Sequence, residues 1–78
     1  MISLAHEGGS VCVRWKGAVI GRLDYLSGGM LAGRLAYRGA VFDTDDYSLY
    51  GVPEHWIEPK ARALCERQDG LAAVRSAA

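Results

Sequence analysis

Few residues in this chain are equipped for chemistry. They are His6 and His55, Cys12 and Cys65, and the acidic run Asp43-Thr44-Asp45-Asp46. A zinc site gathers three or four Cys, His or carboxylate ligands and is usually announced by close pairs. No C-x-x-C and no H-E-x-x-H spacing occurs among His6, Cys12, His55 and Cys65. A Cys–His nucleophilic pair needs an exposed thiol of lowered pKa and an oriented base. Neither cysteine follows an elbow motif or precedes a clear helix, so both are expected as small, partly buried groups. Asp43, Asp45 and Asp46 offer oxygens to a hard cation, and Glu54 falls at the twelfth position counted from Asp43. A calcium loop also needs a central glycine, where this chain has Ser48, and polar ligands where it has Leu49 and Tyr50. A solvated acidic loop, or one that receives a basic partner surface, is the expectation. The spacings Gly17-x-x-x-Gly21 and Gly29-x-x-x-Gly33 lie in strand-like sequence, and no phosphate-loop signature accompanies them. No catalytic residue, cofactor or metal is assigned, and the expected function is not enzymatic.

The elements that must position these residues fit in one domain, because the chain has 78 residues. A chain this short buries only about 60% of the surface its unfolded state exposes, so the core is small. Half the residues are hydrophobic and 23% are charged, a globular balance. No stretch approaches the length of a membrane span and no leader pattern is present. With two cysteines rather than a disulfide framework, a reducing cytoplasm is the expected setting. Net charge is zero, which favours some self-association. The zero hides a segregated pattern. Residues 14–38 carry Arg14, Lys16, Arg22, Arg34 and Arg38 against Asp24. Residues 43–58 carry Asp43, Asp45, Asp46, Glu54 and Glu58 with no basic side chain but histidine.

Alternation of apolar and polar residues predicts a strand meander over residues 11–42. Val11, Val13 and Trp15 form one inward row; Val19, Leu23 and Tyr25 form the next; Leu31, Leu35 and Tyr37 form a third. Residues 2–4 fit a short edge strand and 6–10 a loop. Lys16-Gly17, Ser27-Gly28-Gly29 and Arg38-Gly39 mark turns. Pro53 suits the first position of a short helical turn over residues 53–57. A C-terminal helix is expected over residues 60–69, stopped by Gly70, with a frayed tail over 71–78. The predicted core is Val11, Val13, Trp15, Val19, Leu23, Leu31, Leu35, Tyr37, Trp56 and Leu64. The fold class is α+β: a small antiparallel β-sheet or a partly open barrel, with a short helical turn and a C-terminal helix.

The run Val52-Pro53-Glu54-His55-Trp56-Ile57-Glu58-Pro59 resembles the short 3₁₀ turn and closing strand of small SH3-like β-barrels, where a Val-Pro, three variable residues and an aliphatic-Glu-Pro ending recur. That resemblance covers eight residues and implies a fold, with no activity attached. The glycine-punctuated strands of residues 11–37 are also similar to the small N-terminal subdomain of HipA-like toxin kinases. The kinase body is missing, so no catalytic residue carries over.

Two functions compete. A charge-polarised protein-binding module, an adaptor or inhibitor, would engage a protein or ribonucleoprotein through Arg14, Arg22, Arg34 and Arg38, the acidic Asp43, Asp45 and Asp46, and the anchors Tyr47 and Tyr50. A phage-type inhibitor of a host nucleoprotein machine is one form of this reading. A nucleic-acid-binding small barrel would use the same arginine-bearing strand face on phosphates. Its stacking aromatics are missing, because Trp15, Tyr25 and Tyr37 fall on the inward rows. A structural or oligomerising domain is the remaining alternative, and no membrane partner is expected.

Overall fold

Glycines fix where this chain turns, and period-two apolar residues fix what it buries. The computed structural model describes residues 1–77. Five strands run as an antiparallel meander in spatial order: β1 (Ile2–Glu7), β2 (Ser10–Trp15), β3 (Ala18–Tyr25), β4 (Met30–Tyr37) and β5 (Ala40–Asp43). The two-residue β6 (Val52–Pro53) pairs with the start of β4, Leu31 opposite Val52. A 3₁₀ turn at Glu54–Trp56 leads into α1 (Ile57–Ala77). Lys16-Gly17 has φ of 51° and 85°, and Arg38-Gly39 has 49° and 84°. Two successive left-handed residues make the tight turn whose twist matches the strands it joins, and each needs its glycine.

The inner face of the sheet is built in cross-strand rows. Leu4, Val13, Gly21, Leu35 and Phe42 stand in register across β1 to β5. His6, Val11, Leu23 and Gly33 form the row beside it. A Cβ on Gly21 would lie 2.4 Å from the Arg34 carbonyl oxygen and 2.7 Å from Leu35 Cδ2. Gly21 therefore gives up a side chain so that Leu35 can lie across β3, and Gly33 does the same for Leu23. Thr44, fully buried at the end of β5, accepts the Gly33 backbone N–H on its hydroxyl at 2.9 Å. The helix covers this face with Ile57, Ala61 and Cys65, all fully buried and spaced four residues apart. Small residues at the last two positions bring the helix backbone close to the strands.

The sheet is not closed into a barrel, which corrects the SH3-like resemblance. The 3₁₀ turn does form where that resemblance places it, but Ile57, Glu58 and Pro59 then open α1 instead of a closing strand. Pro59 is tolerated there because first-turn N–H groups have no helical acceptor. The helix fills the space over the inner face and touches β1, β4 and β5, leaving the β1 and β5 edges unpaired with each other. The α+β class, with a partly open antiparallel sheet and a C-terminal helix, stands as expected.

Four details differ from the sequence reading. The edge strand extends to Glu7, so the first loop shrinks to the turn at Gly8-Gly9. Val19 is 59% exposed and Ile20 is buried, because a β-bulge pairs Val13 with Gly21 and Arg14 with Val19, leaving Ile20 as the extra residue. Trp56 is 38% exposed rather than core, while Tyr37 and Leu64 pack against the core only in part. The helix begins at Ile57 and passes through Gly70 to Ala77, longer at both ends than residues 60–69. Residues 71–77 of the expected tail are helical, and Ala78 lies outside the described residues. No helix among the described residues is long and apolar enough to cross a membrane.

Candidate recognition surfaces

The outer face of the sheet carries three of the four expected arginines. Ala5, Cys12, Arg22, Arg34 and Asp43 stand in register across all five strands, with Arg14 one row away opposite Val19. Arg22 and Arg34 are direct cross-strand neighbours, a placement that like charges disfavour. Each is offset by a carboxylate: Glu7 lies 3.1 Å from Arg22 and Asp43 lies 3.5 Å from Arg34. Among the described residues Arg14 has no carboxylate within 4.0 Å. No aromatic residue shares these outer rows, so the face offers phosphate-type charge without a stacking platform.

Arg38 is not part of that face. It lies in the β4–β5 turn, where its Nε is 3.3 Å from Asp69 of the helix. Lys16, in the β2–β3 turn, reaches the same carboxylate at 3.1 Å. Asp69 also accepts the Trp15 indole N–H at 2.9 Å and the Tyr37 hydroxyl. One helical carboxylate thus ties two hairpin turns to α1, and sequence reading missed it because its partners are so distant in the chain. The Tyr37 hydrogen bond, then those of Trp15 and Lys16, push the Asp69 carboxyl down to about 2 from its ordinary 3.8. A carboxylate depressed in the folded state stabilises fully above its unfolded pKa and loses that contribution as pH falls towards the folded value. The denaturation midpoint is expected to fall as pH drops from 3.8 towards 2. Asp69→Asn is expected to lower the midpoint at pH 7 and to flatten that acid limb. Denaturant titrations followed by circular dichroism read both effects. An acid limb unchanged in the variant would contradict the assignment.

The acidic segment is shaped by its own residues. Asp43 accepts the Asp45 backbone N–H at 3.0 Å and so caps the 3₁₀ turn Thr44–Asp46. Asp45 and Asp46 stay exposed, and Tyr47 follows them at 53% exposure. Ser48 and Gly51 then close a tight turn, the Gly51 N–H reaching the Ser48 carbonyl at 3.2 Å and the Tyr50 N–H reaching the Ser48 hydroxyl at 3.0 Å. This turn lifts Leu49 and Tyr50 into solvent, at 80% and 82% exposure. Its base is fixed by Gly51, whose φ is 86° and whose Cβ would lie 2.7 Å from the Leu31 carbonyl oxygen.

Tyr47 connects that turn to the start of the helix. Its ring lies 5.5 Å from Phe42 and meets Trp56 edge-on at 6.1 Å and 85°. The Lys60 ammonium sits 4.9 Å from the Tyr47 ring centre and 5.3 Å from that of Trp56. A groove of about 400 Å³ adjoins, lined by His55, Trp56, Pro59, Lys60 and Ala63. The structure therefore gathers Asp45, Asp46, Tyr47 and Tyr50 in one short segment, separate from the Arg14, Arg22 and Arg34 face. Leu49, Trp56 and Lys60 join it; the sequence reading passed over Leu49 and Lys60 and placed Trp56 in the core.

The remaining chemical groups do not converge. His6 donates to Glu54 at 2.6 Å and stacks beside Tyr25. That hydrogen bond is the main cause holding the Glu54 carboxyl below its ordinary value. Cys65 lies in the core, where burial pushes its thiol up, and Cys12 is buried in an outer row of the sheet. Both are free thiols. Among the described residues no group of three or more His, Cys, Asp or Glu is placed to hold a metal ion. No family model matches the chain, and neither a curated protein nor a solved structure matches it.

Proposed function

We propose that this chain is a non-enzymatic protein-binding module, an adaptor or inhibitor, that docks onto a basic protein surface through residues 45–50 and Trp56. One observation carries the reading: Tyr47, Leu49, Tyr50 and Trp56 are 53%, 80%, 82% and 38% exposed, beside the exposed carboxylates of Asp45 and Asp46. Large apolar and aromatic side chains supply desolvation energy at the centre of an interface, and a charged rim selects the partner. The hydrogen-bonded turn Ser48–Gly51 presents Leu49 and Tyr50, which limits the backbone freedom lost on docking. The outer arginines support a nucleic-acid partner less well. Arg22 and Arg34 already hold carboxylates, and no ring lies among them to stack a base.

The test pairs a capture experiment from native lysate with a titration of mixed DNA and RNA against salt. The expected outcome is a captured basic protein that is released by Leu49→Asp with Tyr50→Asp, and weak nucleic-acid affinity at physiological salt. Submicromolar, sequence-tolerant nucleic-acid binding would overturn the reading, above all if removing Arg14 lowers the salt slope by about 1.

A further inference from the structure

The Lys60 ammonium is the one feature of the exposed patch that looks like a ligand. It stands over Tyr47 and Trp56 at 4.9 Å and 5.3 Å, within the range in which a ring face attracts a cation. The two rings meet at 85°, so they form a corner with two walls, and Phe42 backs the Tyr47 wall at 5.5 Å. Among the described residues no carboxylate lies within 4.0 Å of Lys60, so the rings are its counterpart. The corner is exposed, and the groove past Trp56 continues from it along His55, Pro59 and Ala63.

We infer that the Tyr47–Trp56 corner is a recognition site for an arginine side chain of a basic partner, and that Lys60 is an internal placeholder which the arginine displaces. The inference rests on the protein-binding reading and names what that surface recognises. Two observations and one chemical argument favour arginine. The corner already holds a cation. A planar, weakly hydrated guanidinium stacks on a ring face at lower desolvation cost than an ammonium, which favours arginine over lysine as the entering side chain. Asp45 and Asp46, next to Tyr47 in the chain, are exposed and among the described residues have no basic partner within 4.0 Å, so the field beside the corner draws a basic segment in. The displaced Lys60 swings on a flexible stem into water, where its ammonium is well solvated.

The probe is N-acetyl-argininamide, titrated into the intact protein and followed by NMR. In the free protein the Lys60 ε-methylene signals are expected upfield, because the Lys60 ammonium lies 4.9 Å and 5.3 Å from the two ring centres. Adding the probe is expected to return them to their ordinary position while the Trp56 indole signal moves and the Trp15 indole signal does not. Lys60→Met keeps the stem and removes the competing charge, and it is expected to bind the probe about two- to fivefold more tightly, the factor an exposed cation–ring contact is worth. Tyr47→Ala is expected to lose the response with its fold intact by circular dichroism. Lys60 signals that stay in place at probe saturation, or a Lys60→Met variant that binds no more tightly than the parent, would overturn the inference. Partner capture that depends on Leu49 and Tyr50 but is indifferent to Tyr47→Ala would also overturn it, and would leave the protein-binding reading standing.

Discussion

Gly21→Ala is expected to remove a third or more of the domain's stability. The added methyl would lie 2.4 Å from the Arg34 carbonyl oxygen, 2.7 Å from Leu35 Cδ2 and 3.0 Å from Leu35 Cα. Two of these neighbours are backbone in the adjacent strand, so β3 and β4 must separate to admit it. Separation breaks the ladder and lifts Leu35, which is fully buried in the inner row beside Gly21. The cost is about 4 kcal/mol or more, the range reached when a core is forced open. A 78-residue domain has roughly 4–12 kcal/mol in total, by the per-residue average. Two other glycines serve as controls. A Cβ on Gly9 or on Gly70 meets nothing within 4 Å, and neither position has left-handed backbone. Gly9→Ala is expected to be near neutral, and Gly70→Ala, inside the helix, to stabilise by about 1 kcal/mol. Thermal and denaturant unfolding of the three variants reads the contrast. A Gly21→Ala protein as stable as the parent would contradict the close approach of β3 to β4.

The second large effect is expected in binding. Leu49→Ala with Tyr50→Ala should weaken affinity for the captured basic partner by at least about 2 kcal/mol, roughly 30-fold. Both side chains are at least 80% exposed in the free protein, so the same change should leave folding stability within about 0.5 kcal/mol. Arg22→Ala with Arg34→Ala should change affinity by no more than about 1 kcal/mol, because each side chain belongs to an exposed pair within its own sheet. Calorimetric titration of both double variants measures the difference directly.

Much of the fold was legible because glycine and period-two alternation are local signals. Lys16-Gly17 and Arg38-Gly39 turn where adjacent residues said they must, and Val11, Val13, Trp15, Leu23, Leu31 and Leu35 are all core. The failures have non-local causes. Val19 and Ile20 exchanged faces because a bulge shifts the register against β2, and a bulge depends on the partner strand. Gly70 looked like a helix stop, yet Asp69, just before it, is anchored by Trp15 and Tyr37, and the helix continues. The SH3-like ending failed because Pro59 is compatible with a first helical turn as well as with a strand end. The exposure of Tyr47 and Tyr50 was legible from the polar residues around them. Leu49 was passed over because an apolar residue gives no sign that its turn will lift it into water. Lys60 was invisible because its partners are rings that only folding brings within reach.

Docking through residues 45–50 and Trp56 is tested most directly by a side-chain NMR map of the protein bound to its basic partner. The Leu49 methyls, the Tyr47 and Tyr50 rings and the Trp56 indole are expected to shift on binding, while the Arg14, Arg22 and Arg34 Nε–H signals stay where they are. Shifts confined to those three arginines, with residues 47–56 unmoved, would contradict that docking and place recognition on the outer face of the sheet.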